Sequence, residues 1–64
     1  MDYDFAVMLS DVIGGKIRSL EIGVGPNGNP IYRVAIYNGK TWKGAIYRSF
    51  DAALTTYKFL RRVM

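Results

Sequence analysis

The chain of 64 residues carries 9 lysines and arginines against 5 acids, a net charge of +4, and half of its residues are apolar. That is room for a single domain, residues 1–64, with the composition of a folding chain rather than a disordered tail. It contains no cysteine and no histidine, so disulfides, thiol nucleophiles, cysteine or histidine metal sites and Ser-His-Asp triads are excluded by inventory.

A domain this short buries only about 60% of the surface its unfolded chain exposes. Without disulfides or metal, its stability must come from an aromatic core (5 Tyr, 3 Phe and 1 Trp) or from a second copy. No apolar run approaches the roughly 20 residues that span a bilayer, and no basic region precedes an apolar stretch near Met1. A cytoplasmic location away from membranes is the expectation.

Charge is unevenly placed. Residues 1–22 hold Lys16 and Arg18 against four acids, net −2, whereas residues 23–64 hold seven cations against Asp51, net +6. Such asymmetry points to a basic face and an anionic partner, although solubility alone also favours net charge.

Residues 4–13 are expected to form an amphipathic helix. Phe5, Met8, Leu9, Val12 and Ile13 follow helical spacing, Asp2 or Asp4 serves as the N-cap, and Gly14-Gly15 ends it. The period then changes to two over residues 17–24, where Leu20, Ile22 and Val24 mark a strand with one buried face. Gly25 through Pro30 is a dense turn signal. A phosphate-cradling reading of its glycines fails, because no Gly-Lys-Ser/Thr follows and a strand comes next. Pro30 cannot donate a ladder bond, so the next strand starts there or just after.

Residues 31–37 alternate Tyr32, Val34 and Ile36 with Arg33, Ala35 and Tyr37. Asn38-Gly39 marks a hairpin, and residues 41–48 return as a third strand. A two-residue turn would set Val34 opposite Lys43. An odd, three-residue loop aligns Val34 with Trp42 and is preferred, since a one-residue slip exchanges core and solvent faces. That register collects Leu20, Ile22, Val24, Tyr32, Val34, Ile36, Trp42, Gly44 and Ile46 on a core face, with Trp42 buried and Gly44 admitting a helix. Arg33, Ala35, Tyr37, Lys43, Ala45 and Tyr47 form the exposed face.

Residues 51–64 read as a closing helix capped by Asp51 or Ser49, with Phe50 as an apolar anchor. Lys58, Arg61 and Arg62 suit its negative C-terminal end. The fold class is therefore α+β: a helix, a three-stranded antiparallel meander and a second helix, both helices on one sheet face. Val7, Leu54 and Met64 exceed what one small core can cover, and a homodimer is expected.

The residues that suit a function are Arg33, Tyr37, Lys40, Lys43, Tyr47 and Arg48. Cations neutralise phosphates, and tyrosines stack on bases or bond phosphate oxygens. The run Tyr32-Arg33-Val34-Ala35-Ile36, with Asn38-Gly39-Lys40, Trp42, Gly44, Phe50-Asp51-Ala52-Ala53 and Tyr57, resembles the ethylene-response-factor type of DNA-binding domain and the arm-binding domains of tyrosine integrases. The resemblance covers residues 31–60. It implies a sheet docked in the DNA major groove, with Arg33, Lys43 and Arg48 in the contact positions. The expected element order also resembles that of double-stranded RNA-binding domains, although the lysine cluster of their last helix is missing from Ser49–Ala53.

The expected function is nucleic-acid binding, DNA ahead of RNA, with no cofactor and no metal. The alternative is an accessory protein of phage or plasmid type that docks through tyrosine and arginine on an acidic surface of a host protein. Catalysis is not expected, because no carboxylate pair shares an obvious site and so small a fold has little room for a pocket.

Overall fold

In the computed structural model, which describes residues 4–63, the first segment is a strand rather than the expected helix. It is β1 (Ala6–Ile13), and it runs through a tight turn into β2 (Lys16–Val24). Gly14 and Gly15 have φ of 58° and 81°, the double left-handed conformation of a two-residue hairpin turn. Ile13 accordingly pairs with Lys16, and Val12 with Ile17. The pair that was expected to stop a helix reverses a hairpin.

A β-bulge explains the misleading periodicity. The register shifts between Val7 and Leu9, so one extra residue interrupts the alternation. The apolar residues then fall at spacings of three and four, as they would along a helix. Asp2, one of the two expected caps, lies outside the described residues, as does Met64.

A compact loop follows β2. Gly25 donates to the Asn29 carbonyl at 2.8 Å and Gly28 to the Gly25 carbonyl at 3.0 Å. The chain returns as β3 (Pro30–Tyr37) and then β4 (Trp42–Tyr47), giving one antiparallel sheet in the order β1-β2-β3-β4. The last element is α1 (Phe50–Val63). The class is α+β, with four strands and one helix in place of three strands and two.

The β3–β4 turn decides which side chains share a face. It contains four residues, 38–41, not three. The Asn38 side-chain oxygen accepts from the backbone N–H groups of Lys40 and Thr41, both at 3.0 Å, and the Asn38 N–H donates to the Thr41 carbonyl. An asparagine bonding its own turn in this way fixes the loop length. Tyr37 therefore pairs with Trp42, Ala35 with Gly44 and Val34 with Ala45. The even loop inverts β4 relative to the expected faces, while β2 and β3 keep theirs.

Ser49 caps α1, accepting from the Ala52 N–H at 3.4 Å, and Asp51 lies in the first turn, where its charge suits the helix dipole. The helix lies across β3, β2 and β4. Its Ala53 and Tyr57 meet Leu20 and Val34 in the buried core, with Tyr32, Tyr47, Leu54 and Leu60 packed around them. Phe50 meets Tyr32 edge-on at 5.5 Å, which anchors the start of the helix.

The middle of the helix is clamped by Arg18. Its guanidinium bonds both carboxylate oxygens of Asp11, at 2.6 and 2.9 Å, and donates to the Tyr57 backbone carbonyl at 2.7 Å. It also stacks 4.1 Å above the Tyr57 ring. One side chain thus ties β1, β2 and α1 together. No helix among the described residues is long and apolar enough to cross a membrane.

Candidate nucleic-acid interface

Because α1 covers one side of the sheet, the other side, which carries no helix among the described residues, is the open face. Alternation along the strands and the observed register place Glu21, Arg33, Ala35, Tyr37, Trp42, Gly44 and Ile46 there. This membership corrects the expected one. Trp42, Gly44 and Ile46, expected in the core, are on the open face, whereas Lys43, Ala45 and Tyr47 are on the helix side.

Trp42 is 55% exposed and Ile46 is 53% exposed. Gly44 admits no helix, since the helix lies on the opposite side. A Cβ at Gly44 would instead stand 2.9 Å from the Val34 carbonyl oxygen and 3.1 Å from the Ala35 Cβ, so glycine here serves the close approach of β4 to β3.

The six expected contact residues divide into three groups. Arg33 and Tyr37 remain together on the open face. Lys40 in the turn, Lys43 on the helix side of the edge strand but lining a recess of the open face, and Arg48 just beyond it form a basic border along β4. Residues 34–50 hold these three cations and no acid. Tyr47 leaves the set, since it packs against the core. Arg48 is near the far end of this border, where it helps to line a recess with the loop residues Pro26, Asn27 and Asn29.

The geometry of the open face centres on a shallow recess of about 400 Å³. Ala35 and Gly44 form a floor of small residues, Trp42 and Ile46 rise from β4, and Arg33 and Glu21 stand opposite. The Trp42 ring lies 5.3 Å from that of Tyr37, tilted by 40°, so the two make a continuous aromatic surface at one end. At the other end Arg33 Nε donates to Glu21 at 2.5 Å, and its guanidinium lies 4.2 Å above the Phe5 ring.

The bond it donates to Glu21 holds the Arg33 guanidinium above its ordinary pKa against the opposing effect of burial. The pair brings a planar donor and a carboxylate acceptor together beside an aromatic wall. Such a set can hydrogen-bond the edge of a flat heterocycle while the wall stacks on its plane. Among the described residues no group of three or more acids forms a metal site.

Sequence reasoning missed Glu21 and Trp42 as members of this site. Counting across the 25–29 loop would have set Glu21 opposite Arg33, an opposite-charge cross-strand pair. Trp42 was hidden by the turn length, which depends on one asparagine side chain. Its exposure has a measurable result: Trp42→Ala should change stability by about 1 kcal/mol or less, as for a surface residue with one aromatic neighbour. Native tryptophan emission should already be long-wavelength and shift little on unfolding, and a blue-shifted native spectrum would contradict this placement.

No protein-family model, curated protein or solved structure matches this chain.

Proposed function

We propose that this protein binds single-stranded nucleic acid, DNA in preference to RNA, across the β3–β4 half of the open sheet face. The observation that carries the reading is the recess between Trp42 and the Arg33–Glu21 pair, beside a border of Lys40, Lys43 and Arg48 that contains no acid. A base enters over Ala35 and Gly44, stacks on Trp42 or Tyr37, and meets Arg33 and Glu21 at its edge. The backbone follows β4, where the three cations neutralise phosphates.

A single strand suits this arrangement better than a duplex. Splayed bases can reach a recess between side chains, whereas a duplex offers only groove edges and phosphates. The nearly neutral open face also argues against a docked duplex, because Arg33 is already paired with Glu21. The setting proposed for this activity is the cytoplasm.

Trp42 is the only tryptophan in the chain, so its fluorescence is a direct probe. Titration with an oligodeoxythymidine should quench it, more strongly than titration with duplex DNA or a matched RNA. Trp42→Ala and Tyr37→Ala, the former followed by a label on the oligonucleotide, should each weaken binding by about 1–3 kcal/mol. Lys43→Ala should lower the salt slope by about 0.7, the value for one phosphate on a single strand. Lys58, Arg61 and Arg62 belong to the helix, across the sheet, and their replacement is the control. Absence of quenching, or loss of binding in the helix variants alone, would reject the sheet-face reading.

A second reading has its own support. Trp42, Tyr37 and Ile46 around a neutral ion pair also resemble the centre of a protein interface. Under that reading a host protein binds the same face, and the Trp42→Ala variant loses the partner while oligonucleotides never quench the native protein.

A further inference from the structure

We propose that β1 is a dimerisation edge: two copies pair β1 with β1, antiparallel about a two-fold axis, into one continuous eight-stranded sheet. The inference concerns the opposite side of the sheet from β4 and does not depend on what the open face binds.

The sheet is not closed, so β1 and β4 each present a row of outward-facing N–H and C=O groups. The two edges are defended differently. β4 carries Lys43, is bordered by Lys40 and Arg48, and has Gly44 at its middle. β1 has no lysine, arginine or proline over its 8 residues. Its one charged side chain, Asp11, is already held by Arg18. Four of the ten large apolar side chains that stand exposed among the described residues are on β1: Val7, Met8, Leu9 and Val12. The bulge near Met8 is the one feature on this strand that blunts the edge.

Charge and symmetry select the partner. Pairing β4 with β4 would set a lysine-bearing strand with basic ends against its own copy. Pairing β1 with β4 would leave a free edge on each side and grow without closing. Pairing β1 with β1 closes after two copies. A two-fold centred on Leu9 or Ser10 sets each Asp11 across from Val7 or Leu9 of the other copy, so the two carboxylates do not oppose each other.

A folded monomer of 7.2 kDa is expected to expose about 4,100 Å², and this one exposes 4623 Å² over the whole chain. The helix packs on β2, β3 and β4, and β1 lies outside these packing contacts.

Light scattering and amide hydrogen exchange test the proposal together. At high micromolar concentration the native chain should have the mass of two copies. The outward amides of β1 should exchange slowly there and rapidly on dilution, while those of β4 exchange rapidly at both concentrations. The double variant M8K/S10K, whose changes are both at exposed positions, should have the mass of one copy with an unchanged circular dichroism spectrum. A single-copy mass for the native protein at every concentration overturns the proposal. So does a dimer whose β1 amides stay unprotected while Trp42 emission moves to the blue, because that result assigns the contact to the open face. If the double variant does not fold, exchange in the native protein still decides.

Discussion

Leu20→Ala is expected to destabilise the protein by about 2–5 kcal/mol, the range for buried leucine truncations. Leu20 is fully buried, with Leu9 and Val34 beside it in the sheet and α1 above. Its loss removes transfer free energy and leaves a cavity that three strands and a helix cannot easily close. A chain of this length has a total stability of about 3–10 kcal/mol, from about 0.05–0.15 kcal/mol per residue. The substitution therefore consumes a large fraction of it. Urea denaturation followed by circular dichroism measures the change, and a midpoint equal to that of the native chain would mean that Leu20 is not the centre of the core.

Arg18→Ala should cost about 2–3 kcal/mol, somewhat below the usual range for breaking a buried ion pair. The reduction reflects Asp11, whose side chain is 37% exposed and can be partly rehydrated. The variant loses the bidentate bond, the bond to the Tyr57 carbonyl and the stacking on its ring, so the C-terminal half of α1 should fray first. Hydrogen exchange along α1 would show this as faster exchange from Tyr57 onward than near Phe50.

The same clamp sets an acid dependence. The hydrogen bond from Arg18 lowers the Asp11 pKa below its ordinary value of 3.8. A carboxyl group whose folded pKa is depressed stabilises the fold fully above its unfolded pKa and loses that contribution as pH falls through the folded one. Native stability should therefore decline below about pH 4, the unfolded carboxylate value. In Asp11→Asn and Arg18→Ala this part of the decline should vanish, and denaturation midpoints measured on both sides of that pH would reveal it. An unchanged acid slope in both variants would exclude Asp11 as its source.

Particular residues show how far the linear chain could be read. The strands at 17–24 and 31–37 were evident, because Leu20, Ile22, Val34 and Ile36 alternate without interruption along them. The closing helix was equally evident from its wheel and from Ser49 ahead of Phe50. The first segment was misread because the bulge at Met8 imitates helical spacing, and Gly14-Gly15 fits both a helix stop and a hairpin. Trp42 was misplaced because a three-residue loop sets it on the face of Val34, whereas the four-residue turn sets it on the opposite face.

Composition excluded cysteine and histidine chemistry outright, and local pattern was enough to determine the β2–β3 core strands and α1. Both depend on residue identity and nearest neighbours alone. The face that each β4 side chain occupies, and hence the recess of Trp42, Arg33 and Glu21, was decided only by tertiary structure. Strand parity reverses with a single residue of loop length, and that length here is held by the bonds of Asn38 to Lys40 and Thr41. The Arg18 clamp belongs to the same level, since Asp11, Arg18 and Tyr57 are distant in the chain and meet only once the hairpin and the helix have docked.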